Sequence, residues 1–224
     1  MGGDEIEIPI YLITGFLESG KTTFINFTVA QDYFQIDEPT LLITTEEGEV
    51  EYDEKELLKY NTVLEVVESQ EQFTPEYLKK LKRRYNPERV ILEYNPLWSV
   101  KKLEEMEMPR GWGIVQEIVT VDASCFQIYM QNMKSIFMEM SLHADMVMFN
   151  RCTSDLPLAN FRRSIKVVNP RSARSAISLR IPCLTIWMRT SLTSKTRITV
   201  FSMWIWKTIR SGTVEKRYGL KEEF

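Results

Sequence analysis

The chain has 224 residues, a formal net charge of -3 and an apolar share of 44%, which suits a soluble globular protein long enough to bury a proper core. No apolar run reaches the roughly 18 residues of a membrane span, the acidic start Met1-Gly2-Gly3-Asp4-Glu5 has no leader pattern, and the charge balance argues for neither nucleic acid nor membrane as partner. Cys125, Cys152 and Cys183 are odd in number and unpatterned, which argues against a disulfide framework and suits a reducing cytoplasm.

The first expected element is an apolar strand, Pro9 to Thr14. Gly15-Phe16-Leu17-Glu18-Ser19-Gly20-Lys21-Thr22 follows, a glycine, four residues, then Gly-Lys-Thr. Thr23 to Ala30 can continue as a helix. A strand, a glycine loop and a helix in this order wrap backbone N–H groups and a helix N-terminus around one anion. Gly15 and Gly20 allow backbone angles that a Cβ would forbid. Lys21 would reach the β- and γ-phosphates of a nucleotide, and the Thr22 hydroxyl would hold Mg²⁺.

Further along, Thr40 to Thr44 reads as a strand, Glu54 to Leu58 as a short helix, and Asn61 to Val67 as a strand. Thr74 to Arg84 reads as an amphipathic helix capped by Thr74, with Pro75 at its first position. Arg89 to Glu93 is a buried strand, Gly113 to Val121 another, Phe126 to Leu142 one long Met-rich helix, and Met146 to Asn150 a further strand. Phe126, Met130, Met133, Phe137 and Met138 fall at helical spacing, the pattern of a core-facing stripe. Alternating strands and helices imply a mostly parallel sheet covered on both faces. Ligands of such sheets bind at the carboxyl ends of strands, here Thr14, Thr44, Glu93, Asp122 and Asn150. With a single histidine, His143, and no paired cysteines, the sequence argues against a histidine metal site.

Five ordered blocks over about residues 8 to 173 resemble the CobW-like GTPases, relatives of UreG and HypB in the phosphate-loop superfamily. They are Ile10 to Thr23, Glu46 to Asp53, Val90 to Glu93, Ile118 to Ala123, and Ala144 to Asn150. The resemblance implies a three-layer α/β/α P-loop NTPase domain with a mostly parallel sheet over residues 6–173. It also implies a cytoplasmic GTP hydrolase of the metallochaperone or cofactor-insertion type, with Zn²⁺ or Co²⁺ as cargo, a metalloprotein client as partner and a homodimer as one assembly. On this reading Gly15, Phe16, Leu17, Glu18, Ser19, Gly20, Lys21, Thr22 and Thr23 bind the phosphates, and Asn150 with Asp155 reads the base. Thr22 and Glu93, with Asp53 through water, hold Mg²⁺ by hard oxygen ligands. Lys21 neutralises phosphate charge, and Glu46 or Glu49 orients the attacking water. Glu46 to Glu56 carries seven acids, so a solvated acidic loop is the competing reading for any one of them.

Four departures from the family pattern bear on this. The stretch Val63 to Glu68, where the family carries Cys-x-Cys-Cys, has no thiolate to capture a soft metal. The base-reading block is Asn150-Arg151-Cys152-Thr153, with Thr153 in place of the guanine-accepting aspartate and Asp155 two residues on, so ATP is not excluded. Pro96 stands where the family has glycine and has no N–H to offer a γ-phosphate. Glu18 stands where the loop usually has glycine. Pro96 and Thr153 favour a second reading, a non-hydrolysing nucleotide-binding interaction module. A third, an ATP-dependent small-molecule kinase, lacks the acceptor-binding Arg/Asp set and the lid.

From Leu156 to Val214 there is no acid and there are eleven Lys and Arg. A basic tail against an anionic surface is one reading, yet Trp187, Trp204 and Trp206 do not suit a solvated tail. The other is a shift of reading frame beginning near Arg171 to Arg180. Trp and Met have single codons, so the shifted frame is forced to Asp across Trp187-Met188 and across Trp204-Ile205, and an acidic, strand-like string becomes readable. Residues 174–224 are then expected to be an aberrant, frame-shifted or poorly ordered tail, and the gene's nucleotide sequence decides it.

Overall fold

The computed structural model describes residues 6–46, 48, 50–153, 155–169 and 184–188. It divides into two compact units, Met1–Glu117 and Ile118–Phe224. Apart from the strand at 184–188, the tail expected over 174–224 lies outside the described residues.

In the first unit, β1 (Ile8–Thr14) leads into helix α1 (Lys21–Val29), then β2 (Thr40–Thr44), α2 (Glu54–Lys59), β3 (Thr62–Val66), α3 (Pro75–Tyr85), β4 (Arg89–Tyr94) and α4 (Val100–Glu104). The strands lie in the order β3-β2-β4-β1, and each pairing is parallel. Every residue of β2 and β4 is buried, and so are all but one of β1, as a sheet covered on both faces requires. At the edge, β3 is only partly buried. Strand register sets the site: Glu93 stands level with Ile13 of β1 and with Thr44 of β2. Helix α3 starts as expected, with the Thr74 hydroxyl accepting from the Tyr77 N–H and Pro75 in the first turn. It ends on Asn86 in the left-handed conformation.

The strand β5 (Trp112–Asp122) begins in this unit and runs into the second. There the elements are α5 (Phe126–Asn132), α6 (Lys134–Leu142), β6 (Met146–Asn150), α7 (Leu158–Val168) and β7 (Leu184–Met188). β5 pairs parallel with β6, level from Ile118 with Met146 to Asp122 with Asn150, and β7 pairs antiparallel with β6. The α/β class with a mostly parallel sheet is as expected.

The expectation of one helix over Phe126 to Leu142 is corrected. Met133, at φ -128° and ψ 29°, ends α5 and starts α6. In a straight helix residues 126 and 137 would lie about 16 Å apart along the axis, yet the Phe126 and Phe137 rings meet edge to face at 5.4 Å. The break lets both enter one aromatic cluster, in which Phe126 also lies 5.1 Å from Phe149 and 4.6 Å from Phe161. Met138 is consequently exposed rather than part of the stripe. Among the described residues no helix is long and apolar enough to cross a membrane.

Candidate functional site

The loop after β1 turns on residues in the positive-φ region: Gly15 at 147°, Glu18 at 59° and Gly20 at 97°. Gly20 then caps α1 from the left-handed conformation, and the Phe24 N–H reaches back to its carbonyl. The Ser19 N–H closes the loop on the Phe16 carbonyl at 3.1 Å. Phe16 and Ser19 are buried, whereas Leu17, Glu18 and Thr23 are exposed.

Glu18 explains its own oddity. A side chain in the left-handed region costs about 1 kcal/mol that glycine does not pay. Its carboxylate faces solvent, which removes it from the loop interior. Glu18→Gly is therefore expected to stabilise the fold by about 1 kcal/mol, or ~2–4 °C in melting temperature, measured by thermal unfolding. A melting point at or below that of the parent protein would show that the strain is absorbed elsewhere.

Lys21 is buried, and each proton of its ammonium has a receiver. Nζ lies 2.8 Å from the Gly15 carbonyl oxygen, 3.0 Å from that of Phe16 and 2.5 Å from Glu46 Oε2. Burial pushes the Glu46 carboxyl above the ordinary range, against the opposing pull of the Lys21 charge.

Glu93 is the second centre. Only 2% exposed, its carboxylate accepts from three hydroxyls: Thr22 on Oε1 at 2.9 Å, and Thr44 at 3.2 Å and Tyr52 at 2.6 Å on Oε2. Its carbonyl accepts from the Thr45 N–H at 3.0 Å and the Thr45 hydroxyl at 3.2 Å. The same Thr45 oxygen accepts from the Asn95 N–H at 2.9 Å, so the ends of β2 and β4 are stitched together around the acid. Burial, and then the Glu93 carboxylate, push the Tyr52 phenol far up, so it keeps its proton and acts as a donor.

The structure thus gathers Lys21, Thr22, Glu46 and Glu93 at one edge of the first unit. Asp53 is placed differently. Its carboxylate caps α2, accepting from the Lys55 N–H at 2.9 Å and the Glu56 N–H at 3.3 Å. Glu49 lies outside the described residues. Thr44 is expected only as a strand end, and Tyr52 and Thr45 carry no signal of their own in the sequence, since the roles of all three come from partners 41 to 49 positions away. Pro96 is buried and opens a short turn of 3-10 helix, whose Leu97 N–H is capped by the Asn95 side chain at 2.9 Å.

In the second unit, Asn150 ends β6 and its Oδ1 accepts from the Arg151 N–H at 2.8 Å. Arg151 adopts φ 55° and sets its guanidinium 2.5 Å from Asp122 at the end of β5. Burial alone would raise the Asp122 carboxyl, but hydrogen bonds from Ser124 and Arg151 outweigh it and hold the group below its ordinary value. Asp155 is exposed, and a hydrogen bond from the Thr153 side chain holds it low. Among the described residues, no three His, Cys, Asp or Glu side chains converge into a metal cluster.

No curated protein matches the sequence significantly. Among solved structures, the hydrogenase maturation factor HypB from Archaeoglobus fulgidus is similar at 14% identity and a TM-score of 0.49, over 73% of this chain and 77% of that one. The family model for the CobW/HypB/UreG nucleotide-binding domain matches residues 9–173. That match spans most of the chain and includes both the phosphate-loop lysine and the strand-end glutamate described above, and the chain belongs to the CobW/HypB/UreG family.

Proposed function

We propose that this protein binds a purine nucleoside triphosphate with magnesium and hydrolyses it, as a GTPase of the metal-handling type. The observation that carries the reading is the pairing of a buried ammonium at Lys21 with a hydroxyl–carboxylate couple, Thr22 and Glu93, at the carboxyl ends of the same parallel strands. Phosphoryl transfer needs little covalent help from a protein; it needs positioning and charge neutralisation. The loop N–H groups and the start of α1 would cradle the phosphates, and Lys21 would carry their charge.

The residues fit magnesium. Thr22 Oγ1 and Glu93 Oε1 are hard oxygens 2.9 Å apart, the donor type this ion prefers. Thr22 and Glu93 would hold it, with Asp53 further out, and the ion would supply charge to the β- and γ-oxygens. Glu46, beside Lys21, is the described candidate for orienting the attacking water; Glu49 shares that proposal. Asn150 would meet the base, and Asp155 would supply the carboxylate that Thr153 lacks. A metal cargo, a metalloprotein client and a cytoplasmic setting complete the proposal on family grounds.

A second reading, nucleotide binding without turnover, is favoured by Pro96, whose buried ring offers no N–H. One experiment separates them. GTP and ATP affinities are measured with and without Mg²⁺, and phosphate release is followed in the same samples. Magnesium-dependent binding with release supports the GTPase, and binding without release supports the second reading. Absence of binding to either triphosphate removes both.

A further inference from the structure

We propose that the connection between β2 and α2 holds the phosphate loop in a self-neutralised arrangement, Glu46 against Lys21 and Tyr52 against Glu93, and that Tyr52 is the positioning residue setting how readily magnesium nucleotide enters. The inference rests on the nucleotide-binding reading above and goes beyond it.

An ammonium has three protons to donate, and all three of Lys21 have acceptors. Two of those acceptors are carbonyls of the loop itself. Glu46 alone comes from another segment, and it brings an anion, the kind of charge a phosphate brings. The same logic applies at Glu93. Thr22 belongs to the first turn of α1, and Thr44 sits on β2 level with Glu93, so both are fixed by regular structure. Of the three described hydroxyls that donate to the Glu93 carboxylate, Tyr52 is the one on the connection, and it offers Oε2 a proton at 2.6 Å, the kind of contact a metal-bound water offers. Glu46 and Tyr52 lie six residues apart on one connection, so the two tethers act together.

Moreover, both ends of the tether are anchored. The single Thr44 hydroxyl proton is shared between the Glu46 carbonyl at 3.1 Å and the Glu93 carboxylate at 3.2 Å, which ties the start of the connection to β2. Asp53, the next residue after Tyr52, caps α2 and fixes the end. A ligand that takes Lys21 from Glu46 therefore displaces one of two contacts carried by the same connection, and the Tyr52–Glu93 bond gives way or resists.

The test uses the full chain with Tyr52→Phe, which removes only the hydroxyl, and Glu46→Gln, which removes the charge. Amide hydrogen exchange is followed for the β2–α2 connection in nucleotide-free, metal-free protein, and a fluorescent triphosphate analogue is titrated at several Mg²⁺ concentrations. Each variant is expected to exchange faster in the connection. Each is also expected to bind magnesium nucleotide about fivefold tighter, the value of one hydrogen bond. Tyr52→Phe should also lower the Mg²⁺ concentration needed for half-saturation, which a merely structural tyrosine would not move. If the parent protein binds and Tyr52→Phe binds equally or more weakly, the tether is overturned while the nucleotide reading stands. If the parent protein does not bind but the variants do, the tether is supported as a strong one. If none of the three binds, the nucleotide reading falls and the tether with it.

Discussion

Lys21→Ala loses more than about 100-fold in affinity for GTP and ATP alike, the cost of truncating one partner of a buried, hydrogen-bonded charge pair. The expectation follows from where the ammonium sits. It is 4% exposed, so its charge is little screened. Its two loop acceptors, the carbonyls of Gly15 and Phe16, hold it inside the turn that would receive the phosphates. Lys21→Arg is not expected to rescue, because the planar guanidinium is larger than the compact ammonium this loop encloses and cannot present three convergent donors. Titration calorimetry on protein with unaltered far-ultraviolet circular dichroism measures the effect. An affinity within about threefold of the parent protein, far short of a buried charge pair's worth, would sink the phosphate assignment.

Much of this architecture is legible in the sequence, and the reasons are local. The loop is contiguous from Gly15 to Thr22, so its chemistry needs no tertiary information. Glu93 ends an apolar run, and strand ends of parallel sheets are where ligands gather. Thr74 and Pro75 marked the start of α3 because capping acts within one turn. What escaped is non-local. The break at Met133 contains neither glycine nor proline and follows from Phe126 and Phe137 meeting in one cluster. Helix α7 carries Phe161, Ile165 and Val168, all buried, at helical spacing; that signal was present, but the missing acids drew the reading of the region toward the tail. Tyr52 sits in an acidic run with no periodicity, and its bond to Glu93, 41 positions away, gives it a role. Asp53 shows the converse. Its place in the family's switch block implies a contact to magnesium through water, and without the metal its carboxylate accepts from two N–H groups of α2, a capping role that the acidic run around it does not signal.

Glu93→Gln is expected to separate stability from function. In the protein without metal, the carboxylate is buried among Thr22, Thr44 and Tyr52 hydroxyls with no cation among those donors. A buried carboxylate is costly even when hydrogen-bonded, and a glutamine of nearly the same shape removes that cost. The amide keeps one carbonyl oxygen, placed toward Thr44 and Tyr52 to accept from them, while Thr22 can turn to accept from the new N–H, since a hydroxyl donates and accepts. The melting temperature of metal-free protein should therefore hold or rise. The metal side behaves oppositely. The neutral amide supplies no charge to Mg²⁺, and Thr22 loses the acceptor that orients its oxygen, so magnesium affinity should fall by about 10- to 100-fold, as losses around metal ligands typically do. Binding of the triphosphate without Mg²⁺ should change little, because Lys21 and the loop N–H groups do not touch Glu93. Thermal unfolding without metal, beside nucleotide titrations at graded Mg²⁺, reads both effects. An unfolded or strongly destabilised variant would mean that Glu93 acts as a structural keystone, and an unchanged magnesium dependence would remove it from the metal site.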